Sequence, residues 1–179
     1  SATAGELDRR TLDGHMVLMN ELISDQQYEE VGALAHQVID RFLPVFGADD
    51  WMVLRCRALL GESLQARGQF AEAEEILRAI VPVMERVRGP GDPNTIATLS
   101  SLIAVLFSTE RHDEALALQA EVIGRCQASP DCSKLDAIAM RSNLINALYA
   151  LKRYEEAGDQ AMLLVPEIRK VLPENHVYR

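Results

Sequence analysis

Apolar and aromatic positions recur along the chain with a period of 42 residues. Four similar segments each contain an anchor position, and successive anchors lie 42 residues apart at Tyr28, Phe70, His112 and Tyr154. Leucine stands ten and six residues before every anchor, and an aliphatic residue stands ten and eleven residues after it. Spacings of three, four and seven residues are typical of amphipathic helices. The pattern therefore predicts four copies of one helical unit.

Each unit is predicted to contain a helix, a tight turn and a second helix. The predicted first helices are 7–23, 50–66, 93–109 and 135–151, and the predicted second helices are 28–44, 70–87, 112–127 and 154–171. The repeats fall roughly at 8–49, 50–91, 92–133 and 134–175. Asp92 followed by Pro93 is typical of a helix start between two units. We therefore expect an all-α solenoid with eight helices, in a single repeat domain over 1–179.

The second unit carries a specific family pattern. Leu60-Gly61, Leu64, Gly68, Phe70 and Ala73 stand at spacings that resemble the helix-turn-helix unit of the tetratricopeptide repeat family. The 42-residue period and the segment 89–99 are similar to the kinesin light chain variety of this repeat. The resemblance implies a right-handed solenoid that binds a peptide or protein partner in a concave groove. HEAT and armadillo repeats have similar periods and are the alternative.

Some residues depart from the family pattern. Met19, Ile103 and Ile145 stand where the first helix favours a small residue, so we expect looser or shifted packing there. His112 replaces an aromatic anchor, and we interpret it as a packing substitute.

The resemblance places the first helices on the concave side, and helical spacing then indicates which residues face the groove. Asparagine suits such a surface because its amide both donates to and accepts from a peptide backbone. Phe107 and Tyr149 share one column of adjacent repeats, where they form either a pocket for a partner side chain or a buried pair. Ala58 is also predicted to face the groove. The candidate partner-binding residues are Asn20, Arg55, Glu62, Ser100, Phe107, Ser142, Asn143, Asn146 and Tyr149.

Composition excludes some partners. The net charge of -9 disfavours nucleic acid, because phosphate binding needs an excess of Lys and Arg. Residues 1–50 hold three basic and ten acidic residues, which leaves either a solvated acidic face or a patch for a basic partner. No apolar run is long enough to cross a membrane. We expect a cytoplasmic chain in which Cys56, Cys126 and Cys132 are free thiols, although a local Cys126–Cys132 bridge is conceivable.

No motif indicates catalysis, a metal or a cofactor. The histidines, including His176, are widely spaced, and paired glutamates such as Glu155-Glu156 recur at helix starts, where acidic residues favour the helix dipole. We therefore predict a non-enzymatic interaction scaffold.

The alternative function, which the family resemblance implies, is a regulatory or oligomerisation segment of a multidomain signalling protein of the kinase or ATPase type. Apolar residues crowd the last predicted helix, 154–171, and no capping helix is predicted within 172–179. We therefore expect either a fragment of a larger protein or a chain that associates with itself, or with a neighbouring domain, through 154–171.

Overall fold

The computed structural model describes residues 9–171 and has no strand within them. The starts of the first predicted helix and first predicted repeat, the end of the last predicted repeat, and the segment 172–179 with His176 lie outside the described residues. Eight helices alternate with short connections, as predicted for an all-α solenoid. They are α1 (Arg9–Ser24), α2 (Tyr28–Phe46), α3 (Trp51–Ala66), α4 (Phe70–Arg88), α5 (Pro93–Ser108), α6 (His112–Ala128), α7 (Lys134–Ala150) and α8 (Tyr154–Val171).

The turn within each repeat has one conformation, and every anchor is the first residue of a second helix. The residue two positions before the anchor has a positive φ, which closes the preceding helix and reverses the chain. These residues are Gln26 (58°), Gly68 (77°), Glu110 (60°) and Lys152 (61°). The next backbone N–H donates to the carbonyl of the leucine six before the anchor, for example Gln69 N to Leu64 O at 2.9 Å. The turn therefore satisfies a helix-end carbonyl in every repeat.

Side-chain caps begin the later first helices. Asp50 and Asp92 accept from backbone N–H groups in the first turns of α3 and α5, and Ser133 does so in α7. Arg88 donates to the Asp92 carboxylate at 3.1 Å. The predicted helix start at Asp92-Pro93 is confirmed, because an acceptor at the cap satisfies N–H groups that have no partner inside the helix.

The two helices of a repeat pack through complementary large and small residues. Gly61 of α3 lies so close to Leu77 of α4 that an added Cβ would stand 2.7 Å from a leucine methyl. In the first repeat the sizes are reversed, with Met19 on α1 and Ala35 on α2, and both are fully buried. The small residue on the second helix compensates for the volume of Met19. The α1–α2 pair still approaches less closely than α3 and α4, in agreement with the predicted looser or shifted packing at Met19.

The first helices form the inner row of the solenoid. Close contacts join α1 to α3 and α3 to α5, whereas no two second helices in the described part of the chain approach as closely. A row of closely spaced helices lies on the inside of a curve. The first helices therefore line the concave side, as the resemblance implied.

Ion pairs link the second helices along the convex side. Glu74 of α4 accepts from Arg78 at 2.7 Å and from Arg111 at 2.6 Å, and both arginines also pair with Glu114 of α6. The hydrogen bond from Arg78, with a second from Arg111, holds the pKa of Glu74 below its ordinary value. Exposed pairs of this kind each contribute about 0–1 kcal/mol, so they align neighbouring repeats more than they stabilise them.

The expectation of three free thiols is wrong for two cysteines. Cys126, in the last turn of α6, and Cys132, in the connection to α7, form a disulfide with their Cα atoms 5.2 Å apart. The end of α6 and the turn after it bring the two residues within bridging distance. The expectation of free thiols rested on a reducing cytoplasm and did not take this distance into account. Cys56 is free and buried, and this burial raises its pKa to about 12.

Replacing a non-glycine turn residue by glycine should stabilise the array. Glu110 has a φ of 60°, a conformation that is unfavourable for residues with a Cβ, so Glu110→Gly should raise the free energy of unfolding by about 1 kcal/mol. Urea denaturation followed by circular dichroism measures this change. The matched control is Ala117→Gly, at an exposed position inside α6, which should destabilise by about 1 kcal/mol. A loss of stability in Glu110→Gly would contradict this account of the turn.

Candidate protein-interaction groove

The inner row opens between α5 and α7, which do not approach as closely as α3 and α5 among the described residues. Small residues at the facing positions leave the space unfilled. On α5 they are Ala97, Ser100 and Ala104, and on α7 they are Ala139 and Ala147 beside Asn143. We call this opening the α5–α7 groove.

Two adjoining cavities form the α5–α7 groove. One, of about 410 Å³, lies near the starts of both helices and includes Asp131 and Asp136. The other, of about 240 Å³, lies farther along and is lined by apolar groups of Ile103, Phe107 and Val122. Ser100, Met140 and Asn143 line both cavities. Along its length, the groove therefore has an acidic end, a polar middle and an apolar pocket.

The polar middle has unused hydrogen-bonding capacity. Gln119 of α6 reaches the floor of the apolar pocket, where its Nε2 donates to the Met140 carbonyl at 3.3 Å. Its Oε1 is buried and has no hydrogen-bond partner. The exposed Asn143 amide stands on the opposite wall, and the Ser100 hydroxyl already donates to the Ile96 carbonyl at 3.0 Å. The buried Oε1 is out of reach of a molecule in the groove, so the exposed Asn143 amide is the polar group that a bound segment can use.

Two half-buried charges lie on the neighbouring first helix α3. Arg55 and Glu62 are seven residues apart, so they share one face of the helix. Burial lowers the pKa of Arg55, an effect that the nearby Glu62 partly offsets. Burial likewise raises the pKa of Glu62, and Arg55 opposes that shift. Each charge therefore lacks full solvation, and a partner group of opposite charge would compensate it.

The structure brings together three of the candidate residues, since Ser100, Phe107 and Asn143 line one cavity. Asn20, Asn146 and Tyr149 are exposed but do not line either cavity of the groove. Ser142 is half-buried, and its hydroxyl donates to the Ile138 carbonyl at 2.9 Å. The partner-binding role of these residues stays a prediction.

The prediction that Ala58 faces the groove is wrong, because Ala58 packs against Ile80 and Met84 of α4 and is only 3% exposed. Of the two alternatives for Phe107 and Tyr149, the buried pair is excluded, since Tyr149 is 66% exposed. Each ring instead contacts the anchor of its own repeat, His112 at 6.0 Å and Tyr154 at 5.1 Å between centroids. His112 thus takes the packing place of an aromatic anchor.

Gln119, Met140, Asp131 and Asp136 were not predicted for this site. Gln119 belongs to a second helix, and the spacing rule considered only first helices. The sequence does contain a sign of Gln119. This polar residue stands at a repeat position that is apolar in the first two repeats, where it is Ala35 and Leu77.

Comparison with known proteins identifies the fold. Residues 54–128 match the family model described as tetratricopeptide repeat. The structure resembles nearly identical tetratricopeptide-like repeats assigned to a kinesin light chain of Podosopora anserina, with a TM-score of 0.76 and 21% identity over 94% of this chain and 80% of that one. A variant of the same protein gives a TM-score of 0.75.

A third solved structure is BtubC (BKLC) from P. vanneervenii, with a TM-score of 0.68 and 13% identity over 91% of this chain and 64% of that one. No curated protein matches the sequence. The predicted resemblance to the tetratricopeptide repeat family is confirmed, and the chain has the fold of the kinesin-light-chain type of repeat. Arrays with this fold generally act as protein-interaction scaffolds and are typically non-enzymatic.

Residues 9–171 lack two further features. No helix within 9–171 is long and apolar enough to cross a membrane. The same residues contain no group of three or more His, Cys, Asp or Glu side chains placed to hold a metal ion.

Removing the charge of Glu62 should stabilise the chain in a pH-dependent way. The folded-state pKa of Glu62 is raised, so its charged form is disfavoured by folding at pH values above that pKa. Below the unfolded-state pKa, Glu62 is protonated in both the folded and the unfolded state, so its charge no longer lowers the free energy of unfolding. Glu62→Gln should therefore unfold at higher urea concentration than the wild type at pH 7.5, with a smaller gain at pH 5. An equal gain at both pH values would contradict the assignment.

Proposed function

We propose that this chain is a non-enzymatic interaction scaffold that binds an extended segment of a partner protein in the α5–α7 groove. The proposal rests on one observation, which is that two cavities adjoin along a single seam of first helices and share Ser100, Met140 and Asn143. An extended peptide laid along this seam contacts both cavities.

The chemistry of the groove suggests how such a segment is held. The exposed Asn143 amide donates to and accepts from a peptide backbone. Ile103, Phe107 and Val122 offer a place for one aliphatic or aromatic side chain. A buried apolar anchor of this kind supplies most of the affinity in many interfaces.

Charge favours a basic residue elsewhere in the segment. Asp131 and Asp136 lie at the other end of the groove, and the whole chain carries a net charge of -9. We therefore propose a partner segment with an apolar side chain in the pocket and a basic side chain toward the start of α7. Opposite charges across an interface raise the association rate and the specificity.

The cytoplasmic location stays a prediction. A stable disulfide such as Cys126–Cys132 is unusual in a reducing cytoplasm, so the structure gives that prediction no support.

Substitutions in the groove test the proposal. Peptides selected from a random library against the wild-type chain should lose affinity by at least about 10-fold on Ser100→Arg, because the long side chain fills both cavities. Asn143→Ala should also weaken binding through lost backbone hydrogen bonds. Fluorescence polarisation measures both effects, and circular dichroism checks that each variant folds.

Asn146→Ala is the matched control, because Asn146 is an exposed asparagine on the same helix but outside both cavities. Selected peptides should bind this variant like the wild type. If Asn146→Ala weakens binding while Ser100→Arg and Asn143→Ala do not, the partner binds to another face of α7 and the proposal is wrong.

A further inference from the structure

Among residues 9–171, helix α8 lacks the cover that every earlier second helix has. The residue eleven after the anchor is half-buried at Ile39 and Val81 and only 3% exposed at Ile123, but the equivalent Val165 is 48% exposed. The position fourteen after the anchor differs in the same direction, since Ile168 is only half-buried. Its equivalents Phe42, Met84 and Cys126 are all at most 2% exposed.

These positions belong to the contact between successive repeats. Ile123 of α6 packs with Leu144 and Leu148 of α7, the first helix of the next repeat. The exposed part of α8 is therefore the same surface that a following first helix covers in the rest of the array. We call it the α8 end face, formed by Gly158, Val165 and Ile168.

Glycine in the α8 end face indicates the close approach of a helix. Gly32, at the same position in α2, lies against α3, where an added Cβ would stand 3.0 Å from the Ser63 hydroxyl. Gly158 has no neighbouring atom within 4 Å of such a Cβ. Ser63 also donates to the Tyr28 carbonyl, and α8 begins with the equivalent Tyr154. The α8 end face therefore reproduces the surface that α2 offers to α3.

The direction and charge of the missing helix follow from this match. The Ser63 bond joins the end of α3 to the start of α2, so the covering helix runs antiparallel to the second helix. On α8 such a helix would start near the exposed Arg169 and Lys170 and end near Glu155 and Asp159. It should therefore carry acidic residues at its start and basic residues at its end, as the helix dipole also favours.

Helix α1 of a second copy does not fit this description. It starts with Arg9-Arg10, which would face Arg169 and Lys170. It also carries Glu21 at the position of Ser63, where a carboxylate has no proton to donate to a carbonyl. Head-to-tail stacking of the chain is therefore disfavoured, although Leu18 of α1 is 44% exposed.

We propose that the α8 end face docks one amphipathic helix of a partner protein, laid against α8 as α3 is laid against α2. The helix has an acidic start, a leucine and a small hydroxyl residue three positions apart near its end, and a basic last turn. This interaction is separate from peptide binding in the α5–α7 groove, so either one stands if the other fails.

A synthetic peptide of residues 49–67 with Cys56→Ser is a direct probe, because it carries α3 with its acidic start, Leu60, Ser63 and Arg67. Its binding is measured by the fluorescence anisotropy of Trp51 in the peptide. The chain carries Trp51→Phe in every measurement, so that the peptide holds the single tryptophan, and this chain should bind the peptide. Val165→Asp in the chain should weaken binding by at least about 10-fold. Ser63→Glu in the peptide should do the same.

Leu163→Asp is the matched control in the chain. Leu163 is an exposed aliphatic residue of α8, but its equivalents Gln37, Ala79 and Glu121 are exposed in every earlier repeat, so this variant should bind like the wild type. The proposal is overturned if the peptide does not bind or if Val165→Asp binds it unchanged. It is also overturned if a peptide of residues 9–27, which has no tryptophan, displaces the 49–67 peptide as well as unlabelled 49–67 with Trp51→Phe does, or if the chain dimerises through Val165.

Discussion

The contact between one repeat and the next is the interaction on which this structure depends. A single helical hairpin buries the residues that face its own partner helix, but it leaves the far side of its second helix open. In the array that side is covered by the following first helix, as Leu144 and Leu148 cover Ile123. Because each repeat completes the core of its neighbour, stability accumulates along the chain and both ends are special.

The same constraint explains where the surface is available for binding. Between α3 and α5 the first helices are in close contact, and the inner wall is closed there. Between α5 and α7 the facing residues are small, so the inner wall opens there. The repeats still stack through α6 on α7, where Ile123 stays buried with Leu144 and Leu148. At α8 the surface that would pack on a following first helix is exposed among the described residues, for example at Val165. It is an apolar helix face and not a groove.

The sequence predicts the repeated features of this fold well, because each one appears four times at a fixed spacing. The anchors, the turns before them and the helix starts agree with the structure for this reason. Features that occur once are not predictable in this way. The unpartnered Gln119 oxygen, the opening beside Ala104 and the disulfide of Cys126 each depend on how one pair of helices is spaced. Spacing on a single helix does not reveal such distances. Ala58 was misplaced because it turns toward Ile80 and Met84 of α4 and away from the groove.

Amide hydrogen exchange, resolved by residue, tests most directly the claim that each repeat is stabilised by its neighbours. Exchange of helical amides measures the free energy of local opening. The account predicts the greatest protection in α2 to α7, which have neighbours on both sides, and clearly lower protection in α8, which α7 alone covers among residues 9–171. Equal protection of α8 and α4 would contradict it, because the uncovered side of α8 would then contribute nothing to local stability.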